Sequence, residues 1–282
     1  MDVTSTVEDL KEHLSEWQIA GDHVALVATS GSLHDGHLSL VEIAREHAER
    51  VVVSIFRQPS QSDGSELPGD AAPSLERDQR RLKRAKVDLV FAPDLETLYP
   101  FGTENATTVS VPVLSDDIFG NARPGGFDSV TTVISRLFAL MQPDVAVFGQ
   151  KDFQQQLVIR RMTEDMNLPI RIVSAPICRE DDGLAMSSVN QSLTDAERRV
   201  AAKLYENLKD IAQSLSSGRR DLEVLETMAI DDLAAAGFVP EYVSIRRAEN
   251  LEVPDRDCDE LVVLGAARLG EARLSDNIVV HV

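Results

Sequence analysis

Two histidines stand three residues apart in "SGSLHDGH", residues 30–37, where the apolar run Val24–Val27 gives way to "LSLVEIAREHAE", whose apolar spacing is helical. A strand that turns through small residues into a helix leaves free backbone N–H groups at the positive end of the helix dipole, and together these attract phosphate. His34 and His37 fall on one side of the first helical turn. There both can donate hydrogen bonds to phosphate oxygens as charge builds during attack on phosphorus. Two other readings stay open on spacing alone: one histidine caps the helix, or the pair binds a metal.

A second constellation is "VFGQKDFQQQLVIRRM", residues 147–162, where a strand ends at Gly149 and Lys151-Asp152 opens a helix. Ligands of open α/β sheets gather outside the carboxyl ends of the strands, where Lys151 would neutralise phosphate; the alternative is a surface lysine beside its own aspartate. Gln154, Gln155 and Gln156 cannot all face the core, so one is free to offer its amide to hydroxyls or a carboxylate. The third is "GLAMSSVN", residues 183–190, whose hydroxyls and N–H groups could hold a triphosphate tail or simply cap a helix.

The elements that must carry these residues follow from the patterning. Short β-branched runs (Val24 to Thr29, Val51 to Phe56, Leu89 to Phe91, Val145 to Phe148, Ile170 to Ser174) alternate with amphipathic stretches (Leu38 to Ala48, Leu75 to Ala85, Phe127 to Met141, Asp152 to Met166). That alternation predicts βαβ units around a parallel sheet. A smaller α+β pattern follows, opening at "LTDAERRVAAKLYENLKDIAQSL" and ending in Val243 to Arg246, Leu261 to Ala266 and Ile278 to Val282. The expected division is 1–175 and 176–282. Residues 57–74, rich in Ser, Gly, Pro and Asp, read as a long functional loop.

Composition excludes several classes. A chain of 282 residues that is 43% hydrophobic folds around one large core or two smaller ones. Its formal charge of −19 argues against a basic face for nucleic acid or for anionic lipid, so an anionic ligand needs a locally positive pocket. No apolar run approaches the ~20 residues that a bilayer requires, and no basic, apolar, cleavable segment opens the chain, so it reads as cytoplasmic. Cys178 and Cys258 are far apart and lack metal-ligand spacing, which predicts ordinary thiols. Arginine outnumbers lysine 22 to 6, consistent with a salt-rich habitat or a GC-rich genome.

Eight segments, "GSLHDGH", "FRQPSQ", "SLERD", "VDLVFAP", "RPGGF", "LFALMQPDVAVFGQKDFQQQ", "DGLAMSS" and "LGEARLSDNI", resemble in order and spacing the pantothenate synthetase (pantoate:β-alanine ligase) family, over essentially the whole chain. That family belongs to the nucleotidylyltransferase superfamily with an H-x-G-H signature. The resemblance implies a Rossmann-like amino-terminal domain, a smaller α+β carboxy-terminal lid domain and a homodimer. It implies an ATP- and Mg2+-dependent ligase in which pantoate is adenylated with release of pyrophosphate. The amine of β-alanine then displaces AMP, with no covalent enzyme nucleophile. Such chemistry relies on positioning, phosphate neutralisation and a dry site.

Carried onto this chain, the resemblance gives ATP the residues Ser30, Gly31, His34, Gly36, His37, Gly149, Lys151, Asp152, Cys178, Met186, Ser187 and Ser188. His37 takes the proton-donor role, with His34 and Lys151 as the other catalytic groups. Gly149 and Asp152 would meet the ribose, and the backbone near Cys178 and Met186 the adenine. Asp78 is the candidate magnesium partner, and Gln61 and Gln155 match the pantoate-binding glutamines. The rest of the acid and amine surroundings is Gln58, Arg57, Arg123, Gly126, Asp128 and Val189.

Departures from the family pattern cluster in that last group. The family usually has Met at Ser30, Asn at Gln58, an aromatic at Ser62, Glu at Gln150, His at Gly126, Arg at Asp128 and Arg at Val189, with a small apolar residue at Arg57. Most of the nucleotide set survives, while the surroundings of the acid and the amine change charge and shape. Three outcomes fit: a ligase of the family type, slow or turned to another acid or amine; a nucleotidylyltransferase that stops at the adenylate; or an ATP-binding protein without turnover.

Overall fold

The computed structural model describes residues 1–57, 74–112, 114, 126–255 and 257–282. The chain divides into two compact units, Met1–Gly149 with Val158–Pro176, and Gln150–Leu157 with Ile177–Val282. Residues 150–157, which the sequence-based division leaves in the first domain, therefore group with the second unit.

In the first unit the described residues include six strands, β1 (Asp2–Thr4), β2 (Val24–Thr29), β3 (Arg50–Ile55), β4 (Leu89–Phe91), β5 (Val145–Gly149) and β6 (Arg171–Ala175), in one sheet of order β1-β4-β3-β2-β5-β6. Every pairing is parallel. Both faces are covered, which is why Val24–Val27 reads as a continuous apolar run and is buried throughout. Alternate residues serve opposite faces. Leu26, Val52, Ala146 and Phe148 join one apolar cluster with α1 (Val7–Ala20), Leu98 of the short α4 (Leu95–Leu98), α5 (Gly126–Met141) and Val158, Ile159 and Met162 of α6 (Phe153–Asp165). Val27, Val53 and Val147 join the other with α2 (Asp35–His47) and α3 (Leu75–Arg84).

The strand order reverses at β2, which has β3 on one side and β5 on the other. Chain connections leave in opposite directions there and open a crevice at the carboxyl ends of β2 and β5, the usual ligand position in such sheets.

The second unit is built on an antiparallel sheet of β7 (Val239–Arg247), β8 (Glu260–Leu269) and β9 (Ala272–His281), in that order. Leu204, Leu208, Ile211 and Leu215 line one stripe of the helix Lys203–Ser216 and bury it against Val263, Ala267 and Leu274 of the sheet. The parallel α/β unit and the α+β unit agree with the fold class expected from the patterning.

Candidate functional site

The H-x-G-H segment occupies the crevice end of the first unit. β2 ends at Thr29, whose hydroxyl donates to the Ser54 carbonyl of β3 at 2.9 Å. Gly31 and Ser32 then both take positive φ, 86° and 54°, reversing the chain within two residues. Glycine adopts that region without strain, and the pair aims the following backbone into α2. His34 is the extended residue that caps α2, with φ −126° and ψ 176°.

The His34 backbone N–H donates to His37 Nδ1 at 3.2 Å. An accepting Nδ1 carries no proton, so the proton of neutral His37 sits on Nε2. The two rings lie with centroids 4.0 Å apart, tilted by 48°, and both are half-buried. His34 stands at the cap position of α2, and the bond to its N–H holds the His37 ring with Nε2 at the end away from the backbone.

Helix α3 braces this loop from one side. Asp78 accepts from the Leu33 N–H at 3.0 Å, and Arg81, one turn on, pairs with Asp35 at 3.0 Å. Asp78 is only 2% exposed, and its other oxygen, Oδ2, is buried with no hydrogen-bond partner among the described residues. Among the described residues no group of three or more His, Cys, Asp or Glu is arranged to hold a metal. Asp78 thus anchors the Leu33 backbone that leads into His34.

Of the other expected residues in the first unit, Ser30 is exposed, Gly31 is buried and Gly36 is half-buried in the first turn of α2. Gly149 closes β5 opposite Ala175, and Leu40 lies 3.8 Å from where a Cβ would project. Gly126 and Asp128 sit in the first turn of α5, both half-buried, and Arg57 is exposed beyond β3. Gln58, Gln61 and Arg123 lie outside the described residues.

In the second unit Lys151 belongs to a 3-10 turn, Gln150–Asp152, and its ammonium is 3.6 Å from Asp152. Its side chain is 23% exposed, against 59% for Asp152, so the lysine is drawn inward while its aspartate stays in water. Lys151 lines a small cavity with Ser187, Tyr205, Arg273, Ser275 and Asp276. Gln154 and Gln156 are buried, at 6% and 5% exposure, which leaves Gln155 as the half-exposed member of the three.

Residues 178–186 form a narrow hairpin. Met186 N–H donates to the Cys178 carbonyl at 2.9 Å, Arg179 bridges Ala185, and the two sulfurs are 3.4 Å apart. The pair expected to flank adenine is thus brought together across one hairpin. Ser187 caps the 3-10 turn Ser188–Ser192 by accepting from the Val189 N–H at 3.4 Å. Val189, in contrast, packs against the apolar cluster of its unit.

Sequence reasoning missed Arg179, Tyr205, Asp276 and Asn277. The segment "LGEARLSDNI" carries a signal, an Asp-Asn pair inside an otherwise apolar strand, where polar residues need a buried partner.

Comparison with known proteins places these features in context. The family model described as pantoate-beta-alanine ligase matches residues 2–279. A pantothenate synthetase of Thioalkalivibrio sulfidiphilus is 47% identical over 280 residues, covering 99% of this chain and 98% of the relative. One from Aliivibrio fischeri is 44% identical over 281 residues, covering 100% of this chain and 97% of the relative. The crystal structure of pantothenate synthetase from Thermus thermophilus superposes with a TM-score of 0.87 at 38% identity, over 99% of both chains. A pantoate-beta-alanine ligase from Francisella tularensis, crystallised with beta-gamma ATP and beta-alanine, superposes at 0.80 with 25% identity, over 99% of this chain and 97% of that one.

Proposed function

The chain belongs to the pantoate-beta-alanine ligase family, and from that premise we propose how it works as an ATP-dependent acid-amine ligase. A pantoate carboxylate oxygen attacks the α-phosphorus of ATP, and pyrophosphate leaves. The β-alanine nitrogen then attacks the carbonyl carbon of the acyl-adenylate, and the bond to AMP breaks to leave the amide. ATP is supplied as its magnesium complex, the ion travelling with the phosphates as part of the substrate.

The observation that carries this reading is the His34 N–H bond to His37 Nδ1. It supports Nε2 as the donor that meets phosphate oxygen while charge accumulates in the transition state, where such donors matter most. Lys151, Ser187 and Ser188 take the phosphate tail, Gly149 and Asp152 the ribose, and the backbone of Cys178 and Met186 the adenine. Gln155 and Gln61 take pantoate. No side chain forms a bond to substrate, so rate comes from orientation and charge.

The changed residues Arg57, Gly126, Asp128 and Val189 bear on the acid and the amine. Val189, packed into the apolar cluster, supports a site with one cation fewer than the family usually has. A single charged hydrogen bond is worth about 1.5–3 kcal/mol, so its loss slows the reaction with pantoate and β-alanine, or turns the site to another acid or amine. The chain is expected to act in the cytoplasm as a homodimer, which sedimentation velocity tests.

An AMP-release assay with pantoate across a panel of amines, with products weighed by mass spectrometry, tests the whole reading. AMP and pyrophosphate that require both pantoate and β-alanine support it. Pyrophosphate without any amine marks an enzyme that stops at the adenylate. A dependence on another amine relocates the acceptor, and ATP binding without AMP rejects catalysis.

A further inference from the structure

Lys151 and the serines Ser187 and Ser188 are 36 or more residues apart in sequence, and none of the three lies in a sheet strand. A point charge on a flexible stem is useful to a phosphate only where its backbone is fixed, so something must hold both segments. The side chain of Asn277 on β9 holds the first. It is 2% exposed, and its amide nitrogen donates to two consecutive carbonyls, Gln150 at 2.8 Å and Lys151 at 2.9 Å. Both protons of one amide are thereby engaged by the turn that carries Lys151.

Its neighbour holds the second segment. Asp276, 4% exposed, receives both arms of Arg179, at 2.6 and 3.0 Å. Arg179 also donates to the Gly183 carbonyl at 3.0 Å, which ties the turn of the 178–186 hairpin to the same guanidinium. The guanidinium lies 3.8 Å above the ring of Tyr205. Gly183 packs on that ring so closely that a Cβ would fall 2.5 Å from it, at a φ of +93°. Successive residues of a strand face opposite ways, so Asp276 and Asn277 grip two separate segments from one point on β9. The pair is linked in turn by the Asn277 N–H bond to Asp276 Oδ1 at 2.8 Å.

We propose that Asp276 and Asn277 are positioning residues of the ligase: through Arg179 and directly, they fix the spacing between the Lys151 turn and the hairpin that leads into Ser187 and Ser188. They touch no substrate. Their effect falls on ATP, whose phosphates those three side chains hold, and not on pantoate. The inference rests on the functional reading above.

The test is pantoate-dependent exchange of labelled pyrophosphate into ATP, measured on Asn277→Asp, which keeps the volume of the side chain but turns two donors into an acceptor facing two carbonyls. At a temperature where circular dichroism shows the variant fully folded, the KM for ATP rises about tenfold and kcat falls about tenfold, while the KM for pantoate stays within twofold. Arg179→Lys keeps the charge and loses the paired geometry; it shifts the KM for ATP in the same direction and carries the test if Asn277→Asp does not fold. Wild-type ATP parameters in a folded variant, or equal losses toward ATP and pantoate, overturn the inference. Absence of exchange in the wild-type protein would instead overturn the functional reading on which it rests.

Discussion

Removing the carboxylate of Asp78 separates two roles that its position near the H-x-G-H loop suggests. The Leu33 N–H that it accepts at 3.0 Å is buried, as is Asp78 itself at 2% exposure. In Asp78→Ala that N–H loses its acceptor and finds no water, which costs about 1–3 kcal/mol, toward the upper end because the acceptor is charged. Part of the loss is stability. The remainder reaches catalysis, because Leu33 immediately precedes His34 and the same backbone aims both imidazoles. At about 1.4 kcal/mol per factor of ten, half of a 2–3 kcal/mol loss slows adenylation roughly tenfold. Asp78→Asn retains an acceptor oxygen for Leu33. Its amide nitrogen takes the place of Oδ2, which has no partner to lose, so this variant keeps most of the rate and stability. The assay is pantoate-dependent pyrophosphate exchange at several magnesium concentrations, beside thermal melts of both variants. The expected result is a damaged alanine variant, a mild asparagine variant and one unchanged magnesium requirement. Equal damage in both variants with a raised magnesium requirement refutes the reasoning and makes Asp78 a metal ligand.

His37→Ala and Lys151→Ala each abolish pyrophosphate release while leaving the far-ultraviolet circular dichroism unchanged, since neither side chain fills a core; full turnover in either rejects its assigned role. Gly183→Ala combines a left-handed backbone with a Cβ 2.5 Å from the Tyr205 ring, and a destabilisation of about 1–3 kcal/mol is expected from the strain and overpacking, read as a lower melting temperature. Restoring Gly126→His together with Val189→Arg lowers the KM for β-alanine at a small loss of stability, because the arginine must leave the apolar cluster that holds Val189; no gain, or a gain with another amine, points to a different acceptor.

Much of the fold was legible because its signals are local. The alternation of β-branched runs with amphipathic stretches marked the parallel sheet, and the continuous burial of Val24–Val27 follows from helices on both faces. The strand-to-helix change at "SGSLHDGH" placed His34 and His37 on one turn, and their rings do meet at 4.0 Å. The three glutamines illustrate where local reading stops. Their sequence showed that not all could be buried, but only packing selects Gln154 and Gln156 for the interior and leaves Gln155 half-exposed. Asp78 is a similar case: a carboxylate in an acidic chain carries no sign that it will close over Leu33, 45 residues away.

By itself, then, the sequence determined the strands from β2 to β6 with the helices between them, the class of sheet and the placing of His34 and His37 on one helical turn, since periodicity, chain-reversing small residues and helix capping all act within a few residues. Tertiary structure alone decided that residues 150–157 group with the second unit and that Asn277 holds the Gln150 and Lys151 carbonyls across 127 and 126 residues. A buried polar group must find a partner wherever the fold brings one, and no spacing along the chain encodes which partner that will be.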